Sequence, residues 1–177
     1  LKAFSKINLH SEIVLTPHPG EAAEMLKVTT KEIQKNRIKS AKALQKKYGC
    51  IIVLKGSGTI ICNENDIYLC SSGGPELAVA GSGDILSGVI GSLIAQGLAP
   101  FEAAKTGVVI HALAGEEFAN NVGKIGLAAS ELIPYIRKFL NWTLMLKIKL
   151  KNESMTLLLG SAIGNTIKNI DLKNFEV

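Results

Sequence analysis

The chain has 177 residues and a mass of 18.9 kDa, is 47% hydrophobic and 20% charged, and carries a formal net charge of +5, which excludes a disordered or fibrous chain. A chain of this length hides roughly 70% of its unfolded surface, enough for one core without a disulfide or metal staple. Cys50, Cys62 and Cys70 form an odd set without CxxC spacing, and no apolar run reaches a membrane span of about 18 residues, so the expectation is a cytoplasmic protein with no membrane partner.

Residue 1 is Leu rather than Met, which suggests either processing or the later part of a longer chain. His10 carries no signal. Ile13-Val14-Leu15 reads as a short strand stopped by Thr16-Pro17-His18-Pro19-Gly20, whose prolines forbid ladder pairing and helix alike. A helix is expected from Glu21 to Leu26 and a second from about Thr30 to Tyr48, with a Thr29/Glu32 capping box at its start and Gly49 as its C-cap. Much of the positive charge lies there, where Lys27, Lys31, Lys35, Arg37, Lys39, Lys42, Lys46 and Lys47 face only Glu32. Clustered cations can hold phosphates. Here Ile33, Ile38, Ala41 and Leu44 recur at helical spacing and no aromatic residue interleaves, so the stretch reads as a solvated amphipathic helix and no nucleic-acid partner is expected.

Ile51-Ile52-Val53-Leu54 is apolar on both faces, the pattern of a buried strand in a parallel sheet covered by helices. Thr59–Cys62 and Ile67–Cys70, joined by Asn63-Glu64-Asn65-Asp66, read as a hairpin. After the turn-forming stretch Ser71–Pro75, a buried helix runs from Ile85 to Gln96 and is stopped by Gly97. Further helices are expected over Phe101–Asn120 and Ala128–Leu140. Strand, helix, strand, hairpin and packed helices indicate an α/β fold with functional loops at the carboxyl ends of the strands. A boundary near Asn141–Thr143 separates residues 1–141 from a tail, 142–177, in which Leu144–Leu150 alternates apolar residues with lysines and Thr156–Ile167 could form a short helix.

Three loops carry candidate chemistry. In Gly81-Ser82-Gly83-Asp84, the glycines allow close backbone approach to a ligand, and the amides of the following helix present the positive end of its dipole. Asp84 there suits a base that takes a proton from a hydroxyl while the amides hold phosphoryl charge. Taken alone, the four residues fit equally a helix cap of Ser82 or Asp84. They satisfy neither GxxxxGK[ST] nor GxGxxG. Lys55-Gly56-Ser57-Gly58-Thr59 follows a buried strand, and Lys55 can reach a polyphosphate as a point charge; together the two turns look like two walls of one nucleotide cleft. His18 and Glu21 lie three apart in the proline-stiffened loop, suited to orienting a ligand or a water-bridged Mg²⁺, although Glu21 is equally a helix-start carboxylate. His111 reads as a hydrogen-bonded core histidine and the cysteines as small core residues.

Val14–Glu21, Val53–Thr59, Ala80–Gly88 and Ala95-Gln96-Gly97 with His111 and Ala114-Gly115 resemble, in order, the motifs of the ADP/ATP-dependent NAD(P)H-hydrate dehydratases of the ribokinase-like superfamily. The resemblance covers residues 1 to about 140. It implies a three-layer α/β/α ribokinase-like fold lacking its N-terminal part, because the family domain opens with a substantial segment ahead of the Thr-Pro-His-Pro-Gly-Glu loop. It implies metabolite repair, in which a nucleotide (ADP or ATP) and Mg²⁺ return the S epimer of hydrated NADH or NADPH to the reduced cofactor by hydroxyl phosphorylation and phosphate elimination.

Carried over, His18 contacts the substrate, Lys55, Gly56, Ser57, Gly58, Thr59 and Gly83 hold the nucleotide, and Asp84 binds the hydroxyl and acts as base. Gly81, Ser82 and Gly83 supply the anion hole, and Glu21 corresponds to the metal-water position. With part of the sheet missing, an unpaired strand edge implies a homo-oligomeric, poorly soluble or inactive chain; relatives commonly carry an epimerase domain upstream. From Met145 the tail faintly resembles the opening of the bacterial tRNA threonylcarbamoyladenosine biosynthesis ATPases, without their Walker A loop. Two alternatives remain: a vitamin-precursor kinase of the same superfamily, and a non-catalytic nucleotide-binding or assembly fragment.

Overall fold

The computed structural model describes the backbone of residues 12–149 and the side chains of 12–141. The chain divides into two compact units, Leu1–Ile136 and Arg137–Val177, and the fold and site below belong to the first. The tail expectations at Met145 and Thr156–Ile167, like His10, lie outside the residues whose side chains are described.

Strands β1 (Val14–Leu15), β2 (Ile51–Leu54), β3 (Thr59–Cys62) and β4 (Ile67–Cys70) form one sheet in the order β1-β2-β3-β4. Helices α1 (Pro19–Leu26), α2 (Thr30–Lys35) and α3 (Arg37–Tyr48) precede β2. The 14-residue α4 (Ser82–Ala95), the 22-residue α5 (Pro100–Asn121) and α6 (Leu132–Lys149) follow β4, with short 3₁₀ turns at Pro75–Leu77 and Ala129–Glu131.

Alternation along β2 and β3 divides the core into two layers. Ile52, Leu54, Ile60 and Cys62 point to one face and meet Ala22 and Met25 of α1, Ile33 of α2, and Ala41 and Leu44 of α3. Ile51, Val53 and Ile61 point to the other and meet Leu86 and Ile90 of α4 and Ala104, Val108 and Ala112 of α5. The expected three-layer α/β/α arrangement is therefore present. Each Val, Leu, Ile or Met side chain among them, fully buried, contributes about 1.5–3 kcal/mol relative to exposure.

Two expectations are corrected. β2 pairs in parallel only with β1 and antiparallel with β3; its apolar run reflects helices over both faces rather than an all-parallel sheet. The single helix from Thr30 to Tyr48 breaks at Asn36, whose φ of −147° and ψ of 80° leave the helical region and whose Oδ1 accepts from the Lys39 amide at 3.0 Å. Asn is a strong N-cap, and it opens a new helix inside the cation run. The Thr29/Glu32 capping box forms as expected: the Glu32 carboxylate accepts from the Thr29 amide at 2.8 Å and Thr29 Oγ1 from the Glu32 amide at 3.2 Å. The Thr29 main chain and hydroxyl hold the Glu32 carboxyl below its ordinary pKa. The hairpin has its expected limits, turned by Asn63, whose Oδ1 accepts from the Asn65 and Asp66 amides. Among the described residues no helix is long and apolar enough to cross a membrane.

Candidate active site

The carboxyl ends of β1 and β2 and the amino end of α4 open onto one cleft of about 840 Å³. His18, Glu21, Lys55, Gly56, Ser57, Thr59, Gly81, Ser82, Gly83 and Asp84 all line it. Of the candidate site residues, Gly58 alone is not part of its wall.

The first wall is rigid for a reason beyond its prolines. His18 is the N-cap of α1: its Nδ1 accepts from the Gly20 and Glu21 amides at 3.0 and 3.2 Å, and the Glu21 carboxylate accepts from the His18 amide at 2.7 Å. This is a capping box with imidazole in the place of a hydroxyl. Because Nδ1 accepts, a neutral ring carries its proton on Nε2, which lies 3.7 Å from Glu21 Oε2.

The second wall follows β2, where the Lys55 amide donates to Pro17 O at 2.9 Å and joins the two loops. Lys55 Nζ lies 3.9 Å from Glu21 Oε2. It also approaches the third wall so closely that a Cβ at position 83 would sit 2.8 Å from it. One ammonium thus reaches all three loops.

At the third wall, the Ser82 amide bonds to Val79 O at 3.3 Å, and the Asp84 and Ile85 amides bond to Gly81 O at 3.1 Å. Among the described residues this leaves the Gly83 amide, with the dipole of a 14-residue helix behind it, as the first-turn donor for an anion. Asp84 is exposed on the cleft wall. Thr16 Oγ1 and Ser87 Oγ, 3.0 Å apart, tie the first wall to α4.

Beneath this wall His111, only 7% exposed, places Nε2 at 3.0 Å from Ser82 O and 3.1 Å from Ser82 Oγ. A carbonyl only accepts, so Nε2 carries the proton and the ring fixes the start of α4. Burial is the main cause that pushes the His111 pKa below its ordinary value of 6.5, with the Lys55 charge adding to it against the Ser82 carbonyl. The unfolded chain then binds more protons at that site than the folded one. Stability is therefore highest above pH 6.5 and falls as pH drops through 6.5 toward the lowered folded value. His111→Gln flattens that decline in denaturant midpoints measured between about pH 8 and pH 5, a window that brackets the ordinary histidine pKa; parallel profiles for the two proteins would exclude the assignment.

Residues missed in the sequence support the fourth side, the loop from Ser72 to Val79. Glu116 of α5 accepts from the Gly73 amide at 2.7 Å, and buried Glu76 accepts from the Gly74 amide at 2.8 Å. Isolated glutamates carry no motif, so nothing in the sequence marks them. Among the described residues no group of three His, Cys, Asp or Glu side chains could hold a metal ion.

The sequence profile of the NAD(P)H-hydrate dehydratase family matches residues 2–138. The chain belongs to the NAD(P)H-hydrate dehydratase family. Among relatives of this family, it is 45% identical over 129 residues to the bifunctional NAD(P)H-hydrate repair enzyme Nnr of Coxiella burnetii, a match covering 72% of this chain and 26% of that protein. Among solved structures, the ADP/ATP-dependent NAD(P)H-hydrate dehydratase of Bacillus subtilis, co-crystallised with ATP/Mg²⁺ and soaked with CoA, matches with a TM-score of 0.68 and 33% identity, over 71% of this chain and 47% of that one. A ribokinase-like superfamily protein of Enterococcus faecalis matches with a TM-score of 0.62 and 26% identity, over 73% and 45%. The fold is thus ribokinase-like, and the chain spans about a quarter of the Coxiella protein and just under half of the other two.

Proposed function

We propose that this chain supplies the nucleotide-holding and proton-accepting part of an enzyme that dehydrates the S epimer of hydrated NADH or NADPH at the expense of ADP or ATP. The observation that carries this reading is the convergence of three loops on the Lys55 ammonium, 3.9 Å from Glu21 and against the Gly83 backbone. A cation at a strand end facing a helix N-terminus offsets phosphate charge from two sides.

In this reading Lys55, the Lys55–Thr59 turn and the Gly83 amide bind the nucleotide's phosphates. His18, with its ring fixed by the α1 cap, presents Nε2 to the hydrated nicotinamide. Asp84, exposed at the anion site, accepts the proton of the substrate hydroxyl as that oxygen is phosphorylated. The terminal phosphoryl group leaves the nucleotide, which ends one phosphate shorter, and phosphate is a far better leaving group than hydroxide. The lone pair of the reduced-ring nitrogen expels it from C6, and loss of a proton from the neighbouring C5 of the resulting iminium restores the ring double bond. Water lost from the hydrate is thus accounted for by the hydroxyl proton taken up by Asp84, the oxygen carried away on phosphate and the proton released from C5.

Glu21 Oε2 already accepts from the His18 amide at 2.7 Å. Its remaining capacity fits a Mg²⁺ that arrives on the nucleotide's phosphates and touches the protein through water, and not an ion caged by side chains. Bound there, Mg²⁺ would neutralise phosphate charge. We further place the protein in the cytoplasm, as the free thiols Cys50, Cys62 and Cys70 suit, and in a homo-oligomer, as β1 with one neighbouring strand among the described residues suits. An upstream epimerase partner is in keeping with the bifunctional Coxiella relative.

The test is the return of absorbance at 340 nm when the natural protein carrying this chain meets hydrated NADH, Mg²⁺ and ADP or ATP. Recovery that depends on the nucleotide and is matched by phosphate release is expected. Recovery without nucleotide, or transfer of phosphate to a vitamin-precursor alcohol in place of the hydrate, would overturn the reading.

A further inference from the structure

Arg37 stands behind the second wall, outside the cleft. Reading the cation run as one solvated helix groups Arg37 with the lysines; the break at Asn36 instead places it in the first turn of α3, partly buried, while Lys35, Lys39 and Lys42 are exposed. Its Nη2 donates to three main-chain carbonyls, Leu54 O at 3.1 Å, Lys55 O at 3.2 Å and Gly58 O at 3.1 Å, and Nη1 donates to Gln34 Oε1 at 2.9 Å.

These bonds orient the turn, because in a planar trans peptide the C=O and N–H point in opposite directions. With the Leu54 carbonyl on the guanidinium, the Lys55 amide must point the other way, and it does, toward Pro17 O. With the Lys55 carbonyl on the same guanidinium, the Gly56 amide likewise points away from Arg37. Gly56 has a φ of +137°, and a Cβ there would lie 2.7 Å from Arg37 Nη1, so the turn closes on the guanidinium only with glycine at this position. The partners are neutral oxygens, so the positive charge persists directly behind the turn; burial lowers the Arg37 pKa from its ordinary value without discharging it.

We propose that Arg37 is a positioning residue of the nucleotide site, clasping the Lys55–Gly58 turn from outside so that the Gly56 amide and the Lys55 ammonium are presented to a polyphosphate. The inference rests on the reading of that turn as a nucleotide site. The planar guanidinium holds the three carbonyls through Nη2, one hydrogen being shared, and Gln34 through Nη1, whereas an ammonium offers one nitrogen and cannot occupy both positions.

Calorimetric titration of ADP into the wild type, Arg37→Lys and Arg37→Ala, beside titration of hydrated NADH, tests it. The expected result is an ADP dissociation constant raised about tenfold or more in Arg37→Ala and less in Arg37→Lys, with hydrate affinity unchanged and much of the Arg37→Ala loss restored by added methylguanidinium. If Arg37→Ala does not fold, Arg37→Lys carries the test through its selective loss of ADP. Equal loss of both ligands, the signature of a merely structural staple, or wild-type ADP affinity in the folded variants overturns the inference alone. A wild type that does not bind ADP removes the functional reading and this inference together, and that outcome is visible before any variant is made.

Discussion

Asp84→Asn is expected to lower kcat by about 10²- to 10⁴-fold, the span over which a positioned general base acts, while ADP affinity stays within about twofold of the wild type. Asn has the size of Asp and leaves the α4 start intact, because the bonds that shape that turn are main-chain bonds from Ser82, Asp84 and Ile85 to Val79 and Gly81, reinforced by His111 on Ser82. The substitution therefore removes basicity and little else. Steady-state rates of 340 nm recovery, paired with calorimetry for ADP, separate the two quantities. A raised KM with kcat preserved would make Asp84 a binding group and leave the base unassigned.

Lys55→Met carries the second large effect, in binding instead of turnover. Met keeps the unbranched stem but removes the ammonium that reaches Glu21 and the Gly83 backbone. Loss of a charge-assisted contact to phosphate raises the ADP dissociation constant about tenfold to a hundredfold. The fold is expected to tolerate the change, since the Lys55–Glu21 pair is partly exposed and such pairs contribute little to stability. The same substitution removes one of the causes that depress the His111 pKa, so that histidine should titrate at a higher pH in Lys55→Met when followed by its ring proton resonances. Unchanged ADP affinity would show that phosphate is held elsewhere in the cleft.

The features legible in the sequence are those that local chemistry dictates. The Asn63–Asp66 turn, the Thr29/Glu32 cap and the glycine-rich turns bracketing α4 and β2 each need particular residue types at fixed offsets. The partition of Ile51, Val53 and Ile61 from Ile52, Leu54 and Ile60 follows from strand alternation once helices are known to cover both faces. What was not legible depends on contacts between residues far apart in the chain. Arg37 clasps carbonyls up to 21 positions away, Glu116 holds an amide 43 positions away, and His111, expected as a hydrogen-bonded core residue, finds its partner in Ser82, 29 positions away. A lone charged residue in a cation run or an apolar helix gives no sign of such a partner. The role of His18 as an imidazole N-cap was hidden for a different reason: His is rarely read as a cap, and the flanking prolines already explained a stiff loop.

In the proposed function, the turn after β2 and the turn before α4 form one phosphate site. Titrating ADP into isotope-labelled protein while following main-chain amide resonances tests it most directly. Gly56 and Ser57 on one turn and Gly83 on the other are expected to shift together along a single binding curve, and Lys55→Met to displace both sets of shifts to higher ADP concentration. Shifts confined to one turn, or two turns saturating with separate dissociation constants, would contradict it.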